Sequence, residues 1–171
     1  MQVLFISDFT LEQRQGGAQV SNALVIEEGR KRGYEITEHS HNSSVTDFLR
    51  SYDLIVNSNL ECISKTSPER LNFALKADNS VRLEHDSCSY LSSQDRESLF
   101  KNSNKNFFLS QYHYSFFQEL YGDYFKNVEI VYDPINTDVF KKVDGLEKVY
   151  DVVYCGYLHP LKGLNNLLNF A

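Results

Sequence analysis

The sequence predicts an α/β fold, a doubly wound parallel sheet, and three observations carry that expectation. Short apolar or β-branched runs recur, as at residues 3–7 (VLFIS), 53–57 (DLIVN) and 128–132 (VEIVY). Between them stand stretches with apolar residues at helical spacing, and glycine, proline or serine marks most of the joins. Strands alternating with helices in this way imply a parallel sheet whose right-handed crossovers gather the functional loops at the strand C-terminal ends.

The first run is followed by Gly16-Gly17 and a helix pattern from Ala18. Strand, glycine turn and helix start form an arrangement that presents backbone N–H groups to an anion. The alternative is a tight turn that needs glycine for positive φ. Val20, Ala23 and Leu24 at i, i+3 and i+4 give this helix its expected apolar face. Glu27 and Glu28 stand four residues before Lys31 and Arg32, the favourable order for helix ion pairs, and Gly33 suits the position after the end.

Residues 34–39 read as a second, more polar strand near an edge, and 44–50 as a short helix. Residues 53–57 form the third strand, and Ser67-Pro68 opens another helix, with proline at its first turn. Residues 81–84 form the fourth strand and lead into His85 and Asp86. A helix over 94–101, a strand over 106–110, an aromatic helix over 111–121 closed by Gly122, and a strand over 128–132 follow. His39 and His41, two apart, share a strand face as some metal ligands do, but no third ligand accompanies them and they read as surface histidines. Tyr112, Tyr114, Phe116, Phe117 and Tyr121 read as core packing, with one or two free to stack on a sugar.

Composition narrows the function. Net charge is −6, which disfavours non-specific nucleic-acid binding. Cys62, Cys88 and Cys155 are far apart and lack metal or disulfide spacing, so a reducing cytoplasm is the expected compartment. No apolar run reaches the roughly 18 residues of a membrane span, which leaves only peripheral membrane contact open. After Tyr132 the chain turns loop-like and charged, and residues 151–157 begin a new strand. The expected organisation is a first domain over 1–140, a linker over 141–150, and the first strand and partial helix of a second domain over 151–171.

The order of motifs resembles the retaining GT-B glycosyltransferases of family four. The carriers are VLFIS, then GGAQV, then EEGRKRGYEIT; His85-Asp86 after the fourth strand; Ser110 ending the fifth; DPINTDVF after the sixth; and CGYLHPLKG at 155–163. The resemblance implies a Rossmann-like N-terminal domain on the acceptor side, a truncated donor domain, and a nucleotide-sugar donor as co-substrate rather than a cofactor. It implies that Gly16, Gly17, Gly156 and Lys162 contact the donor, that His85 is the catalytic-site residue contacting the transferred sugar, and that the acceptor is a glycan or lipid. At a strand end, a neutral His85 suits a hydrogen bond to a sugar hydroxyl or proton transfer, the alternative being a structural histidine that caps the loop with Asp86. The Arg usual after the second-domain glycine is Tyr157 here, and Asn136 replaces the usual Asp. No D-x-D pair occurs, which fits metal-independent transfer, and no metal site is expected. The fragment by itself is expected to be inactive, and the sequence leaves its oligomeric state open, dimerisation through an exposed domain face included. Two rivals remain: a non-catalytic Rossmann-like glycan- or partner-binding module, and a dinucleotide enzyme, which the missing G-x-G-x-x-G opposes.

Overall fold

The computed structural model describes residues 1–123, 125–147 and 149. The chain divides into two compact units, Met1–Asn136 and Thr137–Ala171, and the sheet lies wholly in the first. The expected second-domain strand and helix, with Gly156 and Lys162, lie outside the described residues.

Six strands form one sheet: β1 Gln2–Ile6, β2 Glu35–His39, β3 Leu54–Asn57, β4 Ser80–Glu84, β5 Lys105–Phe108 and β6 Val128–Ile130. Their order is β2-β1-β3-β4-β5-β6 and every pairing is parallel. The helices are α1 Gly17–Lys31, α2 Glu61–Thr66, α3 Pro68–Lys76, α4 Ser93–Asn102 and α5 Gln111–Tyr121. The architecture is the Rossmann-like α/β sheet that the alternation of patterns predicts. The order reverses between β1 and β3, and ligands of such sheets bind in the crevice that opens there.

Right-handed crossovers put α1 on one face of the sheet and the later helices on the other, and the packing agrees. A Cβ on Gly29 of α1 would meet Cδ1 of Ile36 at 2.6 Å, and Ile36 pairs with Val3. The opposite side chains, Leu4, Ile6, Ile55 and Phe108, join Leu60, Ile63, Leu99, Phe100 and Phe117 in the main hydrophobic core. Rings make much of that core: Phe108 and Phe100 lie 5.2 and 5.7 Å from the ring of Phe117.

Several local expectations change. The buried residues of α1 are Ser21, Asn22 and Ile26, whereas Val20 is 46% exposed. The cause is position: the first turns of α1 stand over the polar strand ends, so polar side chains face inward there. Residues 44–50 give a 3-10 helix, Val45–Leu49, capped by Ser44. Helix α2 carries no apolar repeat long enough to foretell it; Asp8 builds it by accepting the N–H of Ile63 at 3.0 Å. The last strand stops at Ile130, and Tyr132 is exposed. The aromatic helix is core only on one side, since Phe117 is fully buried but Tyr112 is exposed.

The two histidines do not share a strand face. β2 ends at His39, which is buried, so its reading as a surface residue is corrected. Its Nδ1 lies 2.8 Å from Asp47 Oδ2, and Phe48 packs on its ring. Burial holds this imidazole below the ordinary histidine value, with the Asp47 bond opposing and Arg70 adding to the shift. His41 lies beyond the strand, its Nδ1 2.8 Å from the Asp8 carbonyl oxygen.

Candidate functional site at the carboxyl edge of the sheet

The loops after β1, β3, β4 and β6 meet at the β1/β3 switch point. Gly16 caps α1 with extended backbone, φ −157° and ψ 167°, and neither Gly16 nor Gly17 has positive φ. The tight-turn explanation for these glycines therefore falls. No side chain caps the helix and no acidic residue stands in its first turn. A Cβ on Gly17 would meet no atom within 4 Å, and one on Gly16 would meet only the flexible end of Gln19. Amides that lack a side-chain acceptor, the positive end of a fifteen-residue helix and open space at Gly17 favour an approaching anion.

His85 follows β4 and its side chain is only 5% exposed. Nε2 lies 3.1 Å from Asn22 Oδ1, and Nδ1 lies 3.6 Å from Asp133 Oδ1. Burial pushes the imidazole below the usual histidine value; Asp133 and Asp86 oppose that shift, while Arg82 and His113 reinforce it. The ring is thus neutral near pH 7 and can donate or accept one hydrogen bond at each nitrogen, according to its tautomer.

A continuous polar network surrounds this ring. Ser58 Oγ–H donates to Asn22 Oδ1 at 3.1 Å, joining the end of β3 to α1. Ser21 Oγ–H donates to Asp133 Oδ1 at 2.6 Å, joining α1 to the loop after β6. Asn59 Nδ2 donates to Asp86 Oδ2 at 3.2 Å, and Cys88 N–H donates to Asp86 Oδ1 at 2.8 Å. Asp86 therefore orders its loop, as its position after the strand suggests. His113, in the first turn of α5, reaches the Asp86 carbonyl oxygen with Nε2 at 3.3 Å. Ser110 caps α5 by accepting the His113 N–H at 3.0 Å.

Beneath the site lies a buried charge cluster on β4. Arg82 donates to Glu84 Oε2 through Nε at 3.0 Å and Nη2 at 2.8 Å, and both residues are fully buried. Cys88, at φ 49°, donates its thiol hydrogen to the same oxygen at 2.8 Å and accepts from Arg82 Nη2 at 3.1 Å. Burial raises the Cys88 thiol far above its ordinary value, which keeps it protonated. Glu84, Asp86 and Cys88 each bring a ligand atom within 4.8 Å of the others. The Arg82 guanidinium already occupies the shared Glu84 oxygen and brings a positive charge there, which disfavours a cation. Its structural effect is to fix the loop that carries His85 and Asp86.

The structure thus gathers His85 with Asn22, Ser58, Ser21 and Asp133, and places Gly16 and Gly17 at the open start of the helix that bears Asn22. Asn22, Ser21 and Asp133 are the residues that the sequence reading missed. A polar residue inside a helical repeat gives no sign of facing inward, and Asp133 opens the DPINTDVF stretch, which carries the resemblance without marking this residue. No family model matches the chain, and no curated protein matches it either.

Proposed function

We propose that this chain is the acceptor-side domain of a retaining, metal-independent GT-B glycosyltransferase, which moves a sugar from a nucleotide-sugar donor to a glycan or lipid acceptor. The observation that carries the reading is the uncapped start of α1, with open space at Gly17, beside the neutral His85 at the switch point. Negative charge develops on the departing nucleotide diphosphate during transfer, and helix N–H groups at a fixed position stabilise such charge without reorganising. A neutral histidine suits a sugar hydroxyl, because it forms a hydrogen bond without introducing charge. The order of sequence motifs supports the same assignment, with Lys162 and Gly156 as donor contacts from the second domain.

Calorimetric titration of the 171-residue chain with nucleotide sugars and with NAD(H) tests it. Because on this reading the donor domain is truncated, weak binding of a nucleotide diphosphate sugar through the start of α1, abolished by excess pyrophosphate and weaker still for NAD(H), is expected. Tighter binding of NAD(H), or no binding of any nucleotide sugar, overturns the reading and leaves the dinucleotide enzyme or the binding module in its place.

A further inference from the structure

The hydrogen-bond pattern around His85 is chemically unbalanced in one amide orientation and balanced in the other. With Asn22 Oδ1 facing Ser58 and His85, Asn22 Nδ2 is buried with no partner. In that arrangement His85 must carry its hydrogen on Nε2, so the Nδ1 lone pair faces the Asp133 carboxylate at 3.6 Å. A half-turn of the amide gives Nδ2 two acceptors, His85 Nε2 and Ser58 Oγ, and lets Ser58 donate to Asn59 Oδ1, 3.3 Å away. One carbonyl oxygen then lacks a partner instead of a buried NH2 group, and the hydrogen on Nδ1 points at the carboxylate. Both changes lower the energy of the neutral ring.

We infer that Asp133, held in place by Ser21, is a positioning residue that fixes His85 as its Nδ1–H tautomer, with Asn22 donating to Nε2. The inner nitrogen is then permanently occupied and the ring is not available as a base at Nε2. Its polar edge is a donor directed toward the half-exposed Asp133 carboxylate. At 3.6 Å the Nδ1–H faces the carboxylate without a full hydrogen bond to it, so a ligand oxygen can share that hydrogen. Resting on the reading that His85 meets the ligand, the ring serves there as a neutral donor, and proton transfer is not its task.

Long-range proton–nitrogen NMR of the imidazole reports the tautomer directly and needs no ligand. At neutral pH the native chain is expected to show Nδ1 protonated and Nε2 as the acceptor. Asp133→Ala should move the hydrogen to Nε2, whereas Asp133→Asn, which keeps an acceptor of the same shape, should retain the native pattern. The ring's titration midpoint should fall in Asp133→Ala, because Asp133 and Asp86 favour the charged ring while Arg82 and His113 oppose it. Asp133 is half-exposed in a loop, so folding is not at stake, and the backbone spectrum of each variant checks this. Nε2–H in the native chain, or an unchanged tautomer in Asp133→Ala, overturns the inference. Failure of the nucleotide-sugar titration alongside the expected tautomer switch would remove the glycosyltransferase reading and leave the positioning role standing.

Discussion

Asp8 shows how one side chain decides a piece of structure. Its carboxylate accepts the N–H of Ile63 and is further held by those of Cys62 and Glu61, against a burial that pushes its pKa up. Asp8→Ala should cost about 1–2 kcal/mol, as loss of a helix cap does, read as a lower urea midpoint with unchanged slope. Glu84→Gln should cost about 3–5 kcal/mol, because it leaves the fully buried Arg82 without its counter-charge. Adding Arg82→Met to that variant should recover part of the loss, since the unpaired buried charge goes with it. Gly17→Ala separates stability from binding. Open space and a helical position predict unchanged or slightly higher stability, by up to about 1 kcal/mol, while the added methyl blocks an anion and weakens its binding.

At the scale of elements, much of the fold was legible because parallel strands buried on both faces leave continuous apolar runs. β1 is such a run, and α5 spans the same residues in the sequence reading as in the structure, since Ser110 and Gly122 mark its ends. Elements built by long-range contacts were not legible. Helix α2 depends on Asp8, fifty-five positions before Ile63, and no local pattern records that bond. β4 reads as strand from Val81 and Leu83, yet the fully buried side chains are Arg82 and Glu84. Alternation locates a strand without saying which face is inside when the charged pair neutralises itself. The candidate site was half legible: His85 and the two glycines stand beside recognisable strand ends, but Asn22 and Asp133 acquire meaning only when β3 to β6 are assembled into one sheet. For α5 the inward side is set by Phe117. Phe117→Ala should cost about 3–5 kcal/mol and detach the helix first, seen as faster amide exchange across α5 than across α1.

For the whole molecule, the buried histidines give stability a defined pH dependence. His39 and His85 both have folded pKa values below the ordinary 6.5, chiefly through burial. The unfolded chain therefore binds more protons as pH falls through 6.5, and stability present above that pH is lost on acidification. Asp8 and Glu84, raised by burial, act in the opposite sense in more acid solution. The urea midpoint should drop between about pH 7 and pH 5, and His85→Gln should flatten that slope. A slope unchanged by this substitution would mean that His85 is not held neutral by the fold. Among the described residues no helix is long and apolar enough to cross a membrane.

The central claim is that the start of α1 holds the diphosphate of a nucleotide sugar beside His85. Its most direct test is an amide-resolved NMR titration of the 171-residue chain with a nucleotide diphosphate sugar. The account predicts that the largest shifts fall on Gly16, Gly17 and Ala18, with His85 following, and that Gly17→Ala removes them without loss of folding. Shifts confined to other surfaces, or the same shifts in Gly17→Ala, would contradict it.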